Sequence, residues 1–275
     1  MFKNSLGLIT FTAFILYTTV CVSAATSSEA VSYKKVQVEI TGSSIEADVI
    51  TVDLSNPHIN MTVVSTGGGK NPTFDSIIQT KSPVAAINAN IVGGSYGKPQ
   101  GNLMSEGQML YASSGLTSVG LTADNKLIFG TPMIFTKIYT TDNAANKYLS
   151  WTVTDINSDN QSGEQSVMYT SVKGADVDIH NPGCVMIVEN KIVTGFYKVE
   201  AGRKISIPET GYVVYFSTEA TQTTYFIAPE IGRSLNMEHT SFTSDSENFE
   251  LTSIKNIVSG SPRLINGGFV VTEVV

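Results

Sequence analysis

The sequence predicts an α+β fold, mainly antiparallel β-sheet with a few helices. Three observations predict it. Charged residues make up only 15% of the chain against 41% hydrophobic ones, with Thr, Ser, Val, Ile and Tyr plentiful, and such residues favour pleated, half-buried surfaces. Short apolar runs, alternating or continuous, recur between Gly, Pro and Asn turn signals. The clearest helical segment is a single short one, Thr73 to Thr80, which Thr73 can cap and Ser82-Pro83 stops.

The elements follow in order. The first two dozen residues read as a secretory signal: Lys3 supplies the charge, Leu6 to Val20 the apolar stretch, and Val22-Ser23-Ala24 the small-residue cleavage site. Residues 1–24 are therefore expected to leave, and 25–275 to form one domain; an uncleaved segment is the one route to a membrane. Tyr33 to Ile40 alternates as a half-buried strand, and Ile45 to Leu54 returns as its hairpin partner across Thr41-Gly42-Ser43-Ser44. Ile59 to Val64 reads as a third strand. After the helix, Ala85 to Asn90 reads as a buried strand ending in two amides, followed by a glycine-rich loop, Gly93 to Gly101. Ser105-Glu106-Gly107-Gln108 makes a tight turn, and residues 111–135 a β meander. Ser150 to Ser171 gives a strand ending at Ile156-Asn157, a polar excursion, and a strand through Val167 to Thr170. Strand, turn and strand repeat from Gly183 to Phe216, then from Leu235 to His239, and Ile257 leads into a Gly-Ser-Pro turn.

Several function classes are excluded or weakened. A net charge of −7 argues against nucleic acid, whose phosphates need a basic partner surface. With Cys21 in the signal, Cys184 stands alone, so no disulfide framework or CxxC metal spacing exists, and no metal or cofactor is expected. His180 lies four residues from Cys184, but a lone buried cysteine is more often packing than catalysis. Gly67-Gly68-Gly69-Lys70 lacks the Ser or Thr and the helix of a nucleotide loop. Trp151 and Tyr169 read as core residues. Glu230 and Glu238 are close in sequence, and paired carboxylates can run glycoside hydrolysis; solvated edge positions account for them equally. Asn88 and Asn90 admit two uses: bonding turn backbone, or presenting amides to a ligand at a sheet rim.

Ile87-Asn88-Ala89-Asn90, Gly97-Lys98-Pro99-Gln100-Gly101 and Glu106-Gly107-Gln108 resemble the INA-x-F, G-x-P-x-G and DG signature of the phosphodiester glycosidases, the uncovering-enzyme-like family that includes bacterial exopolysaccharide-associated proteins. Asn157 and Tyr169-Thr170 are similar to a second block, IN-x-x-R followed by LYT, with Asp159-Asn160-Gln161 where the arginine belongs. Gly260, Pro262, Leu264 and Gly267 fall in register with a third block, GG-x-P-x-LV-x-x-G. The resemblance covers roughly residues 33–270. The family's later RTAIG strand and DG-R turn have no counterpart, so the domain is expected to be C-terminally incomplete.

What the resemblance implies is a secreted or cell-surface hydrolase. It would cleave a sugar-1-phosphodiester of the N-acetylglucosamine type, or a related glycosidic bond on surface polysaccharide. Asn88, Asn90 and Arg263 would serve catalysis, and Gly97, Gly101, Asn157 and Gly260 would bind substrate. Arg263 beside the Gly260 turn could pair with phosphate through two parallel hydrogen bonds. The expected partner is a phosphorylated or polysaccharide glycan. The alternative is a non-catalytic carbohydrate-binding protein derived from the same family.

Overall fold

The computed structural model describes residues 30–40, 43–65, 73–90, 92–93, 98–113, 116–142, 147–163, 165–223, 225–243, 249–260, 265–266 and 269–270. The predicted signal segment and the Gly67–Lys70 turn lie outside them. The chain divides into two compact units, Met1–Met61 with Phe74–Asn88, and Thr62–Thr73 with Ala89–Val275.

The first unit holds the predicted hairpin and helix. Strand β1 (Val31–Ile40) pairs antiparallel with β2 (Ser43–Val52), Val31 facing Val52 and Ile40 facing Ser43. Helix α1 (Phe74–Lys81) carries Asp75 in its first turn and Lys81 in its last, each complementing the helix dipole. The buried strand expected over Ala85 to Asn90 does not form. These residues are irregular, and Val84 and Ile87 are 68% and 52% exposed. An unbroken run of four apolar residues carries no period that separates strand from coil, and here no strand pairs with it.

The second unit is built from β3 (Val92–Gly93), β4 (Lys98–Pro99), β5 (Leu103–Ser105), β6 (Gln108–Tyr111), β7 (Thr117–Thr122), β8 (Leu127–Gly130), β9 (Pro132–Asp142), β10 (Lys147–Val153), β11 (Asp155–Ile156), β12 (Ser166–Thr170), β13 (Asp176–Asp178), β14 (Gly183–Glu189), β15 (Ile192–Val199), β16 (Lys204–Ser206), β17 (Gly211–Ser217), the short helix α2 (Thr218–Thr221), β18 (Asn236–Thr243), β19 (Ile254–Gly260), β20 (Ile265–Asn266) and β21 (Phe269–Val270). Three sheets organise it, in the orders β11-β12-β17-β14-β15, β6-β5-β19-β7-β8 and β10-β9-β18. Apart from the parallel β11–β12 pair, the pairing within them is antiparallel. The fold is α+β and mainly antiparallel, as the sequence predicts.

The first five-stranded sheet is buried on both faces. Val213, Val214, Tyr215 and Phe216 of its central strand β17 are all buried, the continuous apolar run of a strand covered twice. Met168, Met186, Val214 and Phe216 face a core shared with Ile138, Trp151, Met104 and Ile257 of the other two sheets. Tyr169, Val185, Val213 and Tyr215 face the β13–β16 pair through Val177, Ile179, Ile205 and Ile207. Trp151 and Tyr169 are core residues, and each polar tip has a partner: the indole N–H donates to the Ile227 carbonyl at 2.7 Å and the Tyr169 hydroxyl accepts from the Gln161 amide at 2.9 Å.

The strand expected over Ile59 to Val64 is also absent. Residues 59–65 form no ladder: the Ile59 N–H turns back to the Asn56 carbonyl at 3.1 Å, and Val63 is served by side chains distant in sequence. The Val63 N–H donates to Asn256 Oδ1 at 3.2 Å, and its carbonyl accepts from the Ser105 hydroxyl at 2.6 Å. A backbone served this way has no need of a neighbouring strand.

Candidate functional site

The motif segments meet in a buried polar network within the second unit. Gly101 turns the chain at φ +79° directly into Asn102, which is fully buried. The Asn102 backbone N–H donates to Ser259 Oγ at 2.8 Å, and the Ser259 hydroxyl lies 2.9 Å from the Asn102 carbonyl and 2.8 Å from the Ser118 hydroxyl. The Asn102 side chain donates to the Pro132 carbonyl at 3.1 Å and to Ser118 Oγ at 3.5 Å, and accepts from the Ser113 N–H at 3.3 Å. Ser113 Oγ accepts from the Gly101 N–H at 3.1 Å. Buried amides and hydroxyls are affordable only when satisfied in this way.

Asn90 belongs to the same network. It sits at φ +58°, a conformation asparagine tolerates. Its Nδ2 donates to the carbonyls of Gln100 at 2.9 Å and Asn102 at 3.3 Å, while Oδ1 accepts from the Ser259 N–H at 3.2 Å. Both donors are spent on backbone, so Asn90 cannot donate to a ligand without giving up the Gln100 or Asn102 carbonyl. Of the two uses open to it, the geometry shows the backbone one.

Asn157 is a second clasp, fully buried at φ +56°. Its amide donates to the Leu110 carbonyl at 2.7 Å and to Thr170 Oγ1 at 3.0 Å, and accepts from the Thr170 N–H at 2.9 Å. The Asn157 carbonyl accepts from Lys173 Nζ at 3.3 Å. Lys173, whose side chain is 8% exposed, pairs with Asp159 and lies 5.6 Å from the centre of the Tyr169 ring. A nearly buried cation thus stands beside Asn157, supplied from beyond β12 rather than from the Asp159-Asn160-Gln161 stretch.

The remaining predicted residues separate. Asn88 is exposed and belongs to the first unit. Gly260 ends β19 in the open, with nothing near the place a side chain would occupy. Gly97 and Arg263 lie outside the described residues. Glu230 and Glu238 each have a partner of their own, Arg233 at 2.6 Å and Lys137 at 3.7 Å. Cys184 is half-buried, and burial pushes its thiol pKa up, the wrong direction for a nucleophile.

Sequence reasoning passes over Asn102, Ser118, Ser259 and Asn256. Asn256 accepts from the N–H groups of Val63 at 3.2 Å and Glu106 at 3.1 Å. Glu106 and Gly107 both take positive φ, 47° and 80°, the pair of values that a two-residue hairpin turn needs. The exposed Glu106 carboxylate accepts from the Thr62 hydroxyl, which holds its pKa below the ordinary value, with Lys255 adding to the effect. The available signal was a polar residue inside an apolar strand run, Asn256 within Ile254 to Val258.

One carboxyl stands apart. Asp155 is half-buried at the start of β11, and desolvation pushes its pKa from 3.8 up to about 6. The fold therefore holds this proton more tightly than the unfolded chain does, so stability falls as pH rises through that interval and stays lower above it. Asp155→Asn is expected to raise stability at pH 7 by on the order of 1 kcal/mol after allowance for solvent screening. It should also flatten the stability profile between about pH 4 and 6. Thermal unfolding across that range checks both; an unchanged profile contradicts the assignment.

Comparison with known proteins adds the fold-level context. Neither a protein-family model nor a curated protein matches the chain. Among solved structures, a hypothetical protein from Synechocystis superposes with a TM-score of 0.71 at 20% identity, over 90% of this chain and 45% of that one. A Burkholderia pseudomallei K96243 protein described as exported gives a TM-score of 0.53 at 14% identity, over 80% of this chain and 50% of that one. These likenesses show the fold. The chain spans about half the length of the solved structures it matches. No helix among the described residues is long and apolar enough to cross a membrane.

Proposed function

We propose that this chain is an exported or cell-surface domain of the phosphodiester-glycosidase type, hydrolysing a sugar-1-phosphodiester on surface glycan. The observation that carries the reading is the Asn90 clasp. Segments similar to the first and third motif blocks, 169 residues apart, are joined through the Asn90 amide and the Ser259 N–H at 3.2 Å. Segments similar to the first and second blocks are drawn together as Asn157 holds the Leu110 carbonyl. Blocks that resemble one family's signature thus meet in space as well as in order.

In the proposed reaction, water adds to the anomeric carbon and the bond from that carbon to the phosphate oxygen breaks. The products are the free sugar and a phosphomonoester. The phosphate oxygen leaves as an anion of low basicity, so it needs a cation more than it needs a proton. A chain in which Glu230 and Glu238 are separately paired can therefore still support this chemistry. In this reading Asn90, Gly101 and Asn157 position the loops, and Arg263 carries the phosphate contact.

The test is release of N-acetylglucosamine from a nitrophenyl- or UDP-linked phosphodiester by the secreted protein. Arg263→Ala is expected to lower release by about a hundredfold or more, the usual scale for losing a group that stabilises developing charge, with thermal stability unchanged. Asn90→Ala is expected to lower stability and release together. Release at the wild-type rate by Arg263→Ala would remove Arg263 from the site. A second reading, a non-catalytic glycan-binding protein, is favoured by the saturation of the Asn90 and Asn157 amides; it predicts binding of the same phosphodiester without release.

A further inference from the structure

A concavity of about 550 Å³ lies on the outer side of the β14–β15 edge, away from the motif network, lined among others by Ile187, Tyr197, Val199, Arg203, Lys204 and Ser206. We propose that it binds an anionic pyranose, a sugar unit bearing a carboxylate or a phosphate.

The floor and the ring come from the sheet. Tyr197 is 45% exposed, although it stands on a strand that otherwise helps to cover a core. Two residues earlier the strand has Gly195, and a side-chain carbon there would sit 3.6 Å from both Ile187 Cδ1 and Tyr197 Cε1. The tyrosine ring edge and the Ile187 side chain thus both border the space above Gly195. An aromatic ring beside aliphatic groups suits the apolar face of a pyranose, whose C–H groups meet the electron-rich ring face.

The charge comes from a fixed loop. Gly202 turns at φ +82°, its N–H donates to the Ile179 carbonyl at 2.8 Å, and the Arg203 carbonyl accepts from the Ile179 N–H at 2.8 Å. The backbone that carries Arg203 is thereby pinned. The neighbouring polar groups are engaged: Lys204 pairs with Asp178 at 3.4 Å and the Ser206 hydroxyl donates to Asp176 at 2.9 Å. The Arg203 guanidinium has no hydrogen bond or ion pair among the described residues and is exposed. With Lys204 paired to Asp178, the lining keeps two cations, Lys198 and Arg203, against one anion, Glu200, in a chain whose net charge is −7. A planar guanidinium at the rim matches a carboxylate or phosphate through two parallel hydrogen bonds, and Glu200 can accept from sugar hydroxyls.

The test is calorimetric titration of the whole protein at low salt with a short oligogalacturonate, with glucose 6-phosphate, with maltose as a neutral counterpart, and with a glutamate-rich peptide. Binding of the uronate, the sugar phosphate or both is expected, weakening with added salt; which one binds identifies the source of the charge. Arg203→Gln and Tyr197→Ala are each expected to weaken that binding about tenfold. Both side chains are exposed, so thermal stability should hold, and neither variant should alter release from the sugar-1-phosphodiester. That separates failure here from failure of the proposed function. Equal binding of maltose, binding by both variants at wild-type strength, preference for the acidic peptide, or no binding of either anionic sugar at millimolar concentration would each overturn the proposal.

Discussion

Asn102→Ala is expected to destabilise the protein by about 2–4 kcal/mol, because it strands several buried polar groups at once. The substitution removes the acceptor of the Ser113 N–H and the donor to the Pro132 carbonyl, and it takes a partner from Ser118. None of these sites opens to water at Asn102, which is fully buried. Chemical unfolding measures the effect directly: the midpoint should fall while the denaturant slope stays constant, the mark of a stability change without a change in the surface exposed. Asn102→Asp should be worse, since it buries a charge with no cation beside it among the described partners. A loss below about 0.5 kcal/mol, the size of an ordinary surface substitution, would show that the network does not bind the motif segments together.

Gly101→Ala is expected to cost about as much, 2–4 kcal/mol, from two sources that add. At φ +79° an alanine is strained, and its methyl carbon would lie 2.5 Å from Ser259 Cβ and 2.8 Å from its Oγ. Gly107→Ala separates the two sources. Gly107 has nearly the same φ, +80°, with nothing within 4 Å of the added carbon, so it should lose only about 1 kcal/mol of backbone preference. Ser259→Gly alone strands the Asn102 N–H and carbonyl, so in the double variant with Gly101→Ala the loss should be smaller than the sum of the two single losses, because residues in contact do not contribute independently. Equal losses at Gly101 and Gly107 would mean that Ser259 does not crowd the turn.

Gly101 is a residue whose importance was legible in the sequence and whose reason was not. The resemblance places a glycine there beside a ligand; the structure shows a glycine on which Ser259 closes down. Asn90 and Asn157 follow the same pattern. Their identities stand out because an asparagine closing an apolar run is conspicuous in a sequence, but the carbonyls they hold belong to residues 10 and 47 positions away. No local pattern reports such a partner. Hairpins β1–β2 and β7–β8 and the doubly covered β17 were legible because alternation or a continuous apolar run between turn signals is local information; β9, expected to continue a meander, instead joins β10 and β18 in another sheet. Ile59 to Val64 misled for the converse reason: its apolar content is that of a strand, while the backbone of Val63 bonds to Asn256 and Ser105. Lys173 was invisible as a site residue because its tie to Asn157 and Asp159 spans a strand and a turn.

The bond that the protein breaks is the most direct test of the glycosidase reading. Incubated in heavy-oxygen water with an N-acetylglucosamine-1-phosphodiester, the protein is predicted to release sugar that carries the label at its anomeric hydroxyl, with an unlabelled phosphomonoester. Label in the phosphate would mean attack at phosphorus, and absence of any release from folded protein would mean that no hydrolase of this type is present; either result would contradict the glycosidase reading.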